Sequence, residues 1–188
     1  TRYLYGAMWL LGLAQAAVHS PLVAALMADA DEPVAGSKST KEVAFAVAAD
    51  KELDGKVLRE DEPKMRALLS RGGGSILRAH AAQWACPSDK VYEKAHELQQ
   101  LAVAVMAGPV RSDKIVFDFF LYVTPPLACF FVLALTLQVA CVGVGRMHAV
   151  TSSIFLPAFV RSLRPENAAR LLRDKLAVDL GYYVSRGR

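Results

Sequence analysis

Cysteine is scarce in this chain, and its few cysteines form no recognisable pattern. Cys86, Cys129 and Cys141 are scattered along 188 residues without a C-x-x-C pair. An odd number of isolated thiols predicts neither a disulfide scaffold nor a zinc site, and it fits a reducing compartment. The four histidines have no H-x-x-x-H or H-E-x-x-H spacing, so the local sequence predicts no metal site.

A strong charge of one sign is also missing. The chain has 22 Lys and Arg against 18 Asp and Glu, a net charge of +4, and no basic block is interleaved with aromatic residues. This distribution argues against nucleic acid as a partner. "AGSKST" lacks the Gly-Lys pair of a P-loop, and "VGVGRMHA" has His148 where a dinucleotide fingerprint needs its third glycine. No flavin fingerprint is present either. "SRGGGSILR" favours a turn between two helices over a phosphate cradle.

Alternating strand patterns and internal repeats are absent, and helical signals take their place. Ser39 and Glu42 form a capping box before an Ala/Val-rich helix. "EDEPKMRALLSRGGG" predicts a short helix that ends in glycine, and Ser75 is expected to cap the helix after it. Ser88 is the expected N-cap of a helix over 89–107.

Two helices carry the clearest apolar stripes. The first spans 89–107 and the second spans 165–183, beginning at Pro165. The stripe residues are Val91, Ala95, Leu98, Leu101, Ala102 and Val105 in the first helix, and Ala168, Leu172, Leu176 and Leu180 in the second. The predicted fold class is all-α, a helical bundle with these two helices in its best-packed part.

The opening stretch, "TRYLYGAMWLLGLAQAAVHS", resembles a signal peptide with an A-x-A pattern. The alternative is a buried helix within a longer parent chain, and the sequence favours it because the chain does not begin with Met. Its apolar run, Tyr3–Val18, includes Gln15. The run is also shorter than the roughly 20 residues that a membrane span needs. Because it begins with Thr1 rather than Met and ends at "SRGR" without a polar tail, the chain is expected to be a fragment.

A second apolar run is longer. No side chain from Phe119 to Gly145 is charged, and the most apolar part of this run is Leu127–Val144. That part is near the lower limit of the range for a span, which is roughly 17–25 residues. The run therefore permits three interpretations: a membrane helix, a buried helix, or a segment foreign to the folded protein.

Two residues stand out chemically. Asp118 is a lone carboxylate inside "IVFDFFL", where it needs a partner or a raised pKa, and such groups are functional candidates. His148 lies in an apolar neighbourhood before "AVTSSIFLP", a pattern more typical of a core histidine than of a catalytic one. His96 falls on a polar helix face, and His80 is ambiguous.

The segments "FDFFL", "MHAVTSSIFLP", "ARLLR" and "GYYVSRGR" together resemble the fungal questin oxidase-like proteins. In that family the first two segments are continuous, as D-F-F-L-M-H-x-V-T-S-S-x-F-L-P. Removing Tyr122–Arg146 restores this motif. The apolar run is therefore interpreted as an insertion, most simply a retained intron translated in frame, in a single helical domain of which residues 1–188 are part. Residues 127–144 would then only imitate a transmembrane helix.

The resemblance implies an NADPH-dependent oxidoreductase of secondary metabolism. The family activity is a Baeyer–Villiger-type oxygenation of an anthraquinone ketone, a small aromatic polyketide, with molecular oxygen. By position, Asp118 and His148 would act as an acid/base or substrate-orienting pair, close together along the chain once the motif is rejoined. Phe119, Phe120 and Phe155 would flank them and contact the planar substrate.

The resemblance also implies a location and leaves an alternative open. The uninterrupted enzyme is expected to be cytoplasmic, and the fragment with its insertion is expected to have little or no activity. The alternative is a small single-pass membrane protein without catalytic activity, which requires residues 127–144 to be a genuine span. A splice donor and acceptor around codons 121–147 would discriminate between the two.

Overall fold

The computed structural model describes residues 24–27, 36–58, 60–61, 63–107 and 144–185. In this part of the chain the secondary structure is helical, with no strand beyond one isolated bridge pair. The prediction of an all-α fold is therefore confirmed. The α-helices are α1 (Thr40–Ala49), α2 (Lys64–Ser70), α3 (Gly73–Ala82), α4 (Val91–Ala107), α5 (Val144–Ser153), α6 (Leu156–Ser162) and α7 (Pro165–Ser185).

Short 3-10 helices complete the connections, at Ala24–Leu26, Lys51–Leu53 and Ser88–Lys90. The opening apolar run and residues 108–143 lie outside the described residues, so most of the predicted insertion is not described. Its end, Val144–Arg146, forms the start of α5. None of the described helices is both long and apolar enough to cross a membrane.

The central element is α7, which packs against each of the helices α1 to α6. Its predicted stripe is confirmed: Ala168, Leu172, Leu176 and Leu180 are all fully buried. Burying a leucine side chain stabilises a fold by roughly 1.5–3 kcal/mol, so this one face contributes a large part of the hydrophobic stabilisation. A helix with such a stripe cannot stand alone in water, and its neighbours supply the surface that it needs.

The second predicted stripe also lies in the core. On α4, Leu101 is half-buried and the other stripe residues are buried. The C-terminal half of α4 packs on α5, where Ala102 contacts Ala149 and Val150. One turn earlier on α4, the side-chain amide of Gln99 donates to the carbonyl oxygen of Ser153 at 3.1 Å. From Gln99 to Ala102 the residue numbers rise along α4, while those of their partners on α5 fall from Ser153 to Ala149, so the two helices are antiparallel.

The start of α1 has the predicted capping box. The Ser39 backbone N–H donates to Glu42 Oε2 at 2.7 Å, and the Glu42 backbone N–H donates to Ser39 Oγ at 3.3 Å. Two N–H groups without helical partners are thereby satisfied. The other two predicted caps are wrong. Ser75 lies inside α3, whose N-cap is Gly72, and Ser88 opens a 3-10 helix that runs into α4.

Replacing Ser39 by alanine is expected to lower the free energy of unfolding by about 1 kcal/mol, because Ser39 Oγ accepts the cap hydrogen bond from the Glu42 N–H and donates to Glu42 Oε2, and both bonds are lost. Thermal or urea unfolding of the variant measures the change. Ser88→Ala is the matched control, since Ser88 is exposed and lies inside a 3-10 helix whose N-cap is Pro87, and its effect should stay within about 0.5 kcal/mol. Equal effects of the two substitutions would contradict the assignment.

The segment before α1 is fixed to the far end of α3. Lys38 forms an isolated parallel bridge with Trp84: its N–H donates to the Gln83 carbonyl at 2.8 Å, and its carbonyl accepts from Ala85 N–H at 2.8 Å. Gly36 permits this approach, because a Cβ atom there would lie only 2.2 Å from the carbonyl carbon of Gln83. Trp84 is fully buried beneath the bridge, so this junction anchors α1 to the core.

Candidate functional site

The structure locates only part of the predicted site. Asp118, Phe119 and Phe120 lie outside the described residues. His148 lies on α5, and the structure describes its backbone position on that helix. Phe155 lies in the turn between α5 and α6, with 55% of its surface exposed. The pairing of Asp118 with His148 and the aromatic wall around them stay predictions.

A buried ion pair holds the helix that carries His148. Lys175, on α7, donates to both carboxylate oxygens of Asp179 at 2.5 Å. The same ammonium group donates to the backbone carbonyl of Ala149 at 3.2 Å. Ala149 follows His148 directly, so this contact ties α5 to α7 next to the predicted catalytic histidine. Lys175 is therefore one of the contacts that position α5, and with it the backbone of His148.

Asp179 is fully buried, and its ionisation is perturbed accordingly. Burial raises the pKa of Asp179 to about 6, against the opposing effect of the Lys175 charge and hydrogen bond. A carboxyl group that titrates near neutrality is typical of functional sites, and buried structural ion pairs produce the same shift. Its position beside the helix of His148 makes it part of the candidate site.

A second polar network lies where α1 meets α4. The Trp84 indole N–H donates to Thr40 Oγ1 at 2.8 Å, and the Thr40 hydroxyl donates to Glu97 Oε2 at 2.6 Å. Lys94 donates to Glu97 Oε1 at 2.7 Å. Burial opposes ionisation of Glu97, but the hydrogen bonds from Lys94 and Thr40 outweigh it and hold the pKa of Glu97 below its usual value. Glu97 is therefore a carboxylate anion at neutral pH.

This carboxylate opens onto a groove of about 700 Å³ between α1, α4 and α7. Most of the lining is apolar, with Phe45, Leu101 and Tyr183 among its larger side chains. Such a volume suits a drug-sized ligand, since small-molecule pockets span roughly 300–1,000 Å³. The groove can hold a flat apolar molecule with a hydrogen-bond donor at the Glu97 end. Phe155 is not among its lining residues.

The remaining histidines and the cysteine of the described residues have structural surroundings. His96 is exposed, with Nδ1 2.9 Å from the side-chain oxygen of Gln99, as its polar helix face predicts. His80, which the sequence leaves ambiguous, pairs through Nε2 with Asp50 Oδ2 at 2.7 Å. This pair links α3 to the C-terminal end of α1. Cys86 is buried and free.

In the part of the chain that the structure describes, the glycine-rich turn does not form a phosphate site for NADPH. The glycine-rich turn that could hold a phosphate joins α2 to α3 as the helix-turn interpretation predicts, with Gly72 in the left-handed conformation at a φ of 79°. Gly73 and Gly74 are buried, and a Cβ at Gly73 would lie 2.3 Å from Leu68 Cδ1. The backbone there faces protein and not a ligand. No strand–turn–helix unit occurs in the part of the chain that the structure covers.

Sequence reasoning missed the charged residues of α7. Arg173, Lys175 and Asp179 lie within "ARLLRDKLAVDL", and Arg173 and Asp179 are buried. One signal was present, because Lys175 and Asp179 have the i, i+4 spacing of a helical ion pair. That spacing alone does not distinguish a solvated pair from a buried one.

The model of the questin oxidase-like family matches residues 6–140 and 145–188. The chain belongs to the questin oxidase-like family. The comparisons with curated proteins and with solved structures gave no match. The break between the two matched stretches, residues 141–144, falls inside the predicted insertion, while residues 122–140 lie within the first stretch. The extent of the insertion stays a prediction.

Proposed function

We propose that this questin oxidase-like chain is part of an oxidoreductase that oxygenates a planar aromatic polyketide. The reaction would be a Baeyer–Villiger-type insertion of one oxygen atom from O₂ beside the carbonyl of an anthraquinone. NADPH is the electron source that the family resemblance implies. The observation that carries this proposal is the family match over residues 6–140 and 145–188.

The proposed roles follow the rejoined motif. His148 and Asp118 would move a proton or orient the substrate carbonyl, since ring-bond migration needs assistance by proton transfer. Phe119, Phe120 and Phe155 would contact the aromatic rings. The hydrogen bond from Lys175 to the Ala149 carbonyl supports a positioned His148, because it fixes the adjoining residue of α5.

The groove at Glu97 is the described pocket whose properties suit such a substrate. Its apolar walls match fused rings, and the Glu97 carboxylate would accept a hydrogen bond from a phenolic hydroxyl group. We propose that this groove binds the substrate or its extension. Cytoplasmic location is proposed for the uninterrupted protein.

The test uses the complete reading frame that encodes this chain, expressed with and without Tyr122–Arg146. The shortened protein is expected to consume NADPH and O₂ in the presence of a hydroxylated anthraquinone and to release a ring-opened or lactone product. The protein that keeps Tyr122–Arg146 is expected to show little or no turnover. Product analysis by mass spectrometry with ¹⁸O₂ detects the inserted oxygen atom.

Two variants of the shortened protein separate the binding surfaces. Phe45→Ala should weaken anthraquinone binding if the groove holds the rings, and Phe155→Ala should weaken it if the motif wall does. A shortened protein that binds no anthraquinone, or that still partitions into membranes, would contradict the oxidase proposal. Membrane partition would favour the single-pass membrane protein.

A further inference from the structure

The directions of the hydrogen bonds around Glu97 are fixed by the chemistry of its neighbours. The Trp84 indole N–H can only donate, so the Thr40 hydroxyl oxygen accepts from it at 2.8 Å. Since Glu97 is ionised and has no proton to give, Thr40 donates to its Oε2 at 2.6 Å. Lys94 donates to the other carboxylate oxygen at 2.7 Å. Glu97 is therefore an acceptor held in place from two sides.

This network leaves part of the carboxylate unused. A carboxylate has about four acceptor positions. Lys94 and Thr40 occupy two of them, and the Trp84 indole, which also favours the ionised form of Glu97, occupies at most a third. The Glu97 side chain is 30% exposed and lines the groove between α1, α4 and α7. A ligand in the groove can therefore reach an acceptor that is already positioned.

The charges around the groove favour a neutral donor over a cation. Lys94 pairs with Glu97, so this carboxylate already has a counterion. Lys41, the other charged residue among those that line the groove, adds a positive charge. Its ammonium group lies 5.8 Å from the centre of the exposed Phe45 ring. A cationic ligand would meet an excess of positive charge here, whereas a neutral hydroxyl group would not.

A phenol and its methyl ether would interact differently with this carboxylate. The two share the ring system and the oxygen atom, but only the phenol has a proton to donate. In the groove, the ether would place a methyl group against Glu97 and leave the acceptor position without a partner. Sites that hydrogen-bond to a hydroxyl group discriminate strongly against analogues that lack it.

We propose that Glu97 makes the groove selective for free phenolic hydroxyl groups over their methyl ethers, with Thr40 as the residue that positions the carboxylate. The inference rests on the proposal that the groove binds the substrate, and it names the substituent that the substrate presents at Glu97. It is tested by binding alone, so its outcome is separate from that of the oxidation chemistry.

Equilibrium binding of two naphthalenes to the full chain tests the selectivity. 2-Naphthol and 2-methoxynaphthalene are both flat and neutral at pH 7, and the first has the proton that the second lacks. The fluorescence of the two ligands reports their dissociation constants. The wild-type chain is expected to bind 2-naphthol roughly tenfold more tightly, the effect of one hydrogen bond to a charged group.

Substitutions in the network assign the preference to its residues. Glu97→Gln keeps the shape of the side chain and removes its charge, and Lys94 would take the amide oxygen. The preference for 2-naphthol should then fall to about twofold or less. Glu93→Gln is the matched control and should keep the wild-type ratio, because Glu93 is exposed on the same helix and does not line the groove.

Thr40 is tested through the same ratio. Thr40→Val removes the positioning hydroxyl group and should reduce the preference for 2-naphthol severalfold, and Thr40→Ser should restore it. A merely structural role of Thr40 would change the affinities for both ligands alike and leave their ratio unaltered.

Equal dissociation constants of the two ligands in the wild-type chain would overturn the proposal, as would an unchanged ratio in Glu97→Gln. A chain that binds neither naphthalene also contradicts it. The wild-type comparison decides the matter if the variants fail to fold. Failure of the proposed function gives a different result: the predicted ratio without oxidation of any anthraquinone keeps the selectivity and removes the oxidoreductase. Turnover by the shortened protein without any preference in binding does the reverse.

Discussion

Replacing His148 by alanine in the protein without Tyr122–Arg146 is expected to lower turnover by roughly 10²–10⁴-fold. This range is what a positioned general acid or base contributes to a reaction. Asp118→Ala should have an effect of the same order, because the rejoined motif places the two residues close together along the chain. Steady-state rates with a hydroxylated anthraquinone measure both effects.

His96→Ala is the matched control for the histidine. His96 is exposed on α4 and contacts Gln99, a neighbour on the same helix. Its loss should leave turnover unchanged. Normal turnover and normal folding of His148→Ala would remove His148 from the mechanism, and an equal loss in both variants would point to a general effect on the fold.

Replacing Asp179 by alanine is expected to lower the free energy of unfolding by about 1–3 kcal/mol, because the partly buried Lys175 ammonium group loses the acceptor of two of its hydrogen bonds. The double variant Lys175→Met, Asp179→Leu should recover most of this loss, since apolar side chains of similar volume often replace a buried pair at no cost. Urea unfolding of the single and double variants measures both quantities. A double variant as unstable as Asp179→Ala would contradict this account.

The pH dependence of stability gives a second readout of the same pair. The pKa of Asp179 is about 6 in the fold, above its ordinary value of 3.8, so between these pH values the folded state binds the proton more tightly. The contribution of this group to stability is therefore fully present below about pH 4 and is lost as pH rises through 6. The loss is roughly 2–3 kcal/mol. Asp179→Asn lacks the titrating group, so its stability should change less between pH 4 and 6.

Much of the helical architecture could be predicted from local sequence. The stripes of α4 and α7 fall on buried positions because a helix in water must turn its apolar face to the core. The capping box at Ser39 was also predictable, since it depends on a serine and a glutamate at a fixed local spacing. Ser75 and Ser88 show the limit of such reasoning. The helical turns begin earlier, after Gly72 and Pro87. In sequence, a serine inside the first turn of a helix cannot be distinguished from a serine at its N-cap.

The site was less predictable because its decisive property is burial. Arg173 and Asp179 occupy helix positions that flank the apolar stripe, and charged residues there are usually solvated. They are buried because α7 is surrounded by the other helices, which is a property of tertiary packing and not of spacing. Glu97 and Thr40 are far apart in the chain, so no local pattern could join them to one groove.

The antiparallel packing of α4 on α5 has a consequence for whether the protein can still fold with the predicted insertion, Tyr122–Arg146, between these helices. Because Gln99 meets Ser153 and Ala102 meets Ala149, the end of α4 and the start of α5 lie side by side. The predicted insertion makes up more than half of the connection from Ala107 to Met147. In general, a threefold increase in the length of a connection raises the entropic cost of closing it by only about 1 kcal/mol. If Tyr122–Arg146 is an insertion, it would interrupt the motif while still permitting α4 and α5 to meet, so whether the chain folds and whether it is active would become separate questions.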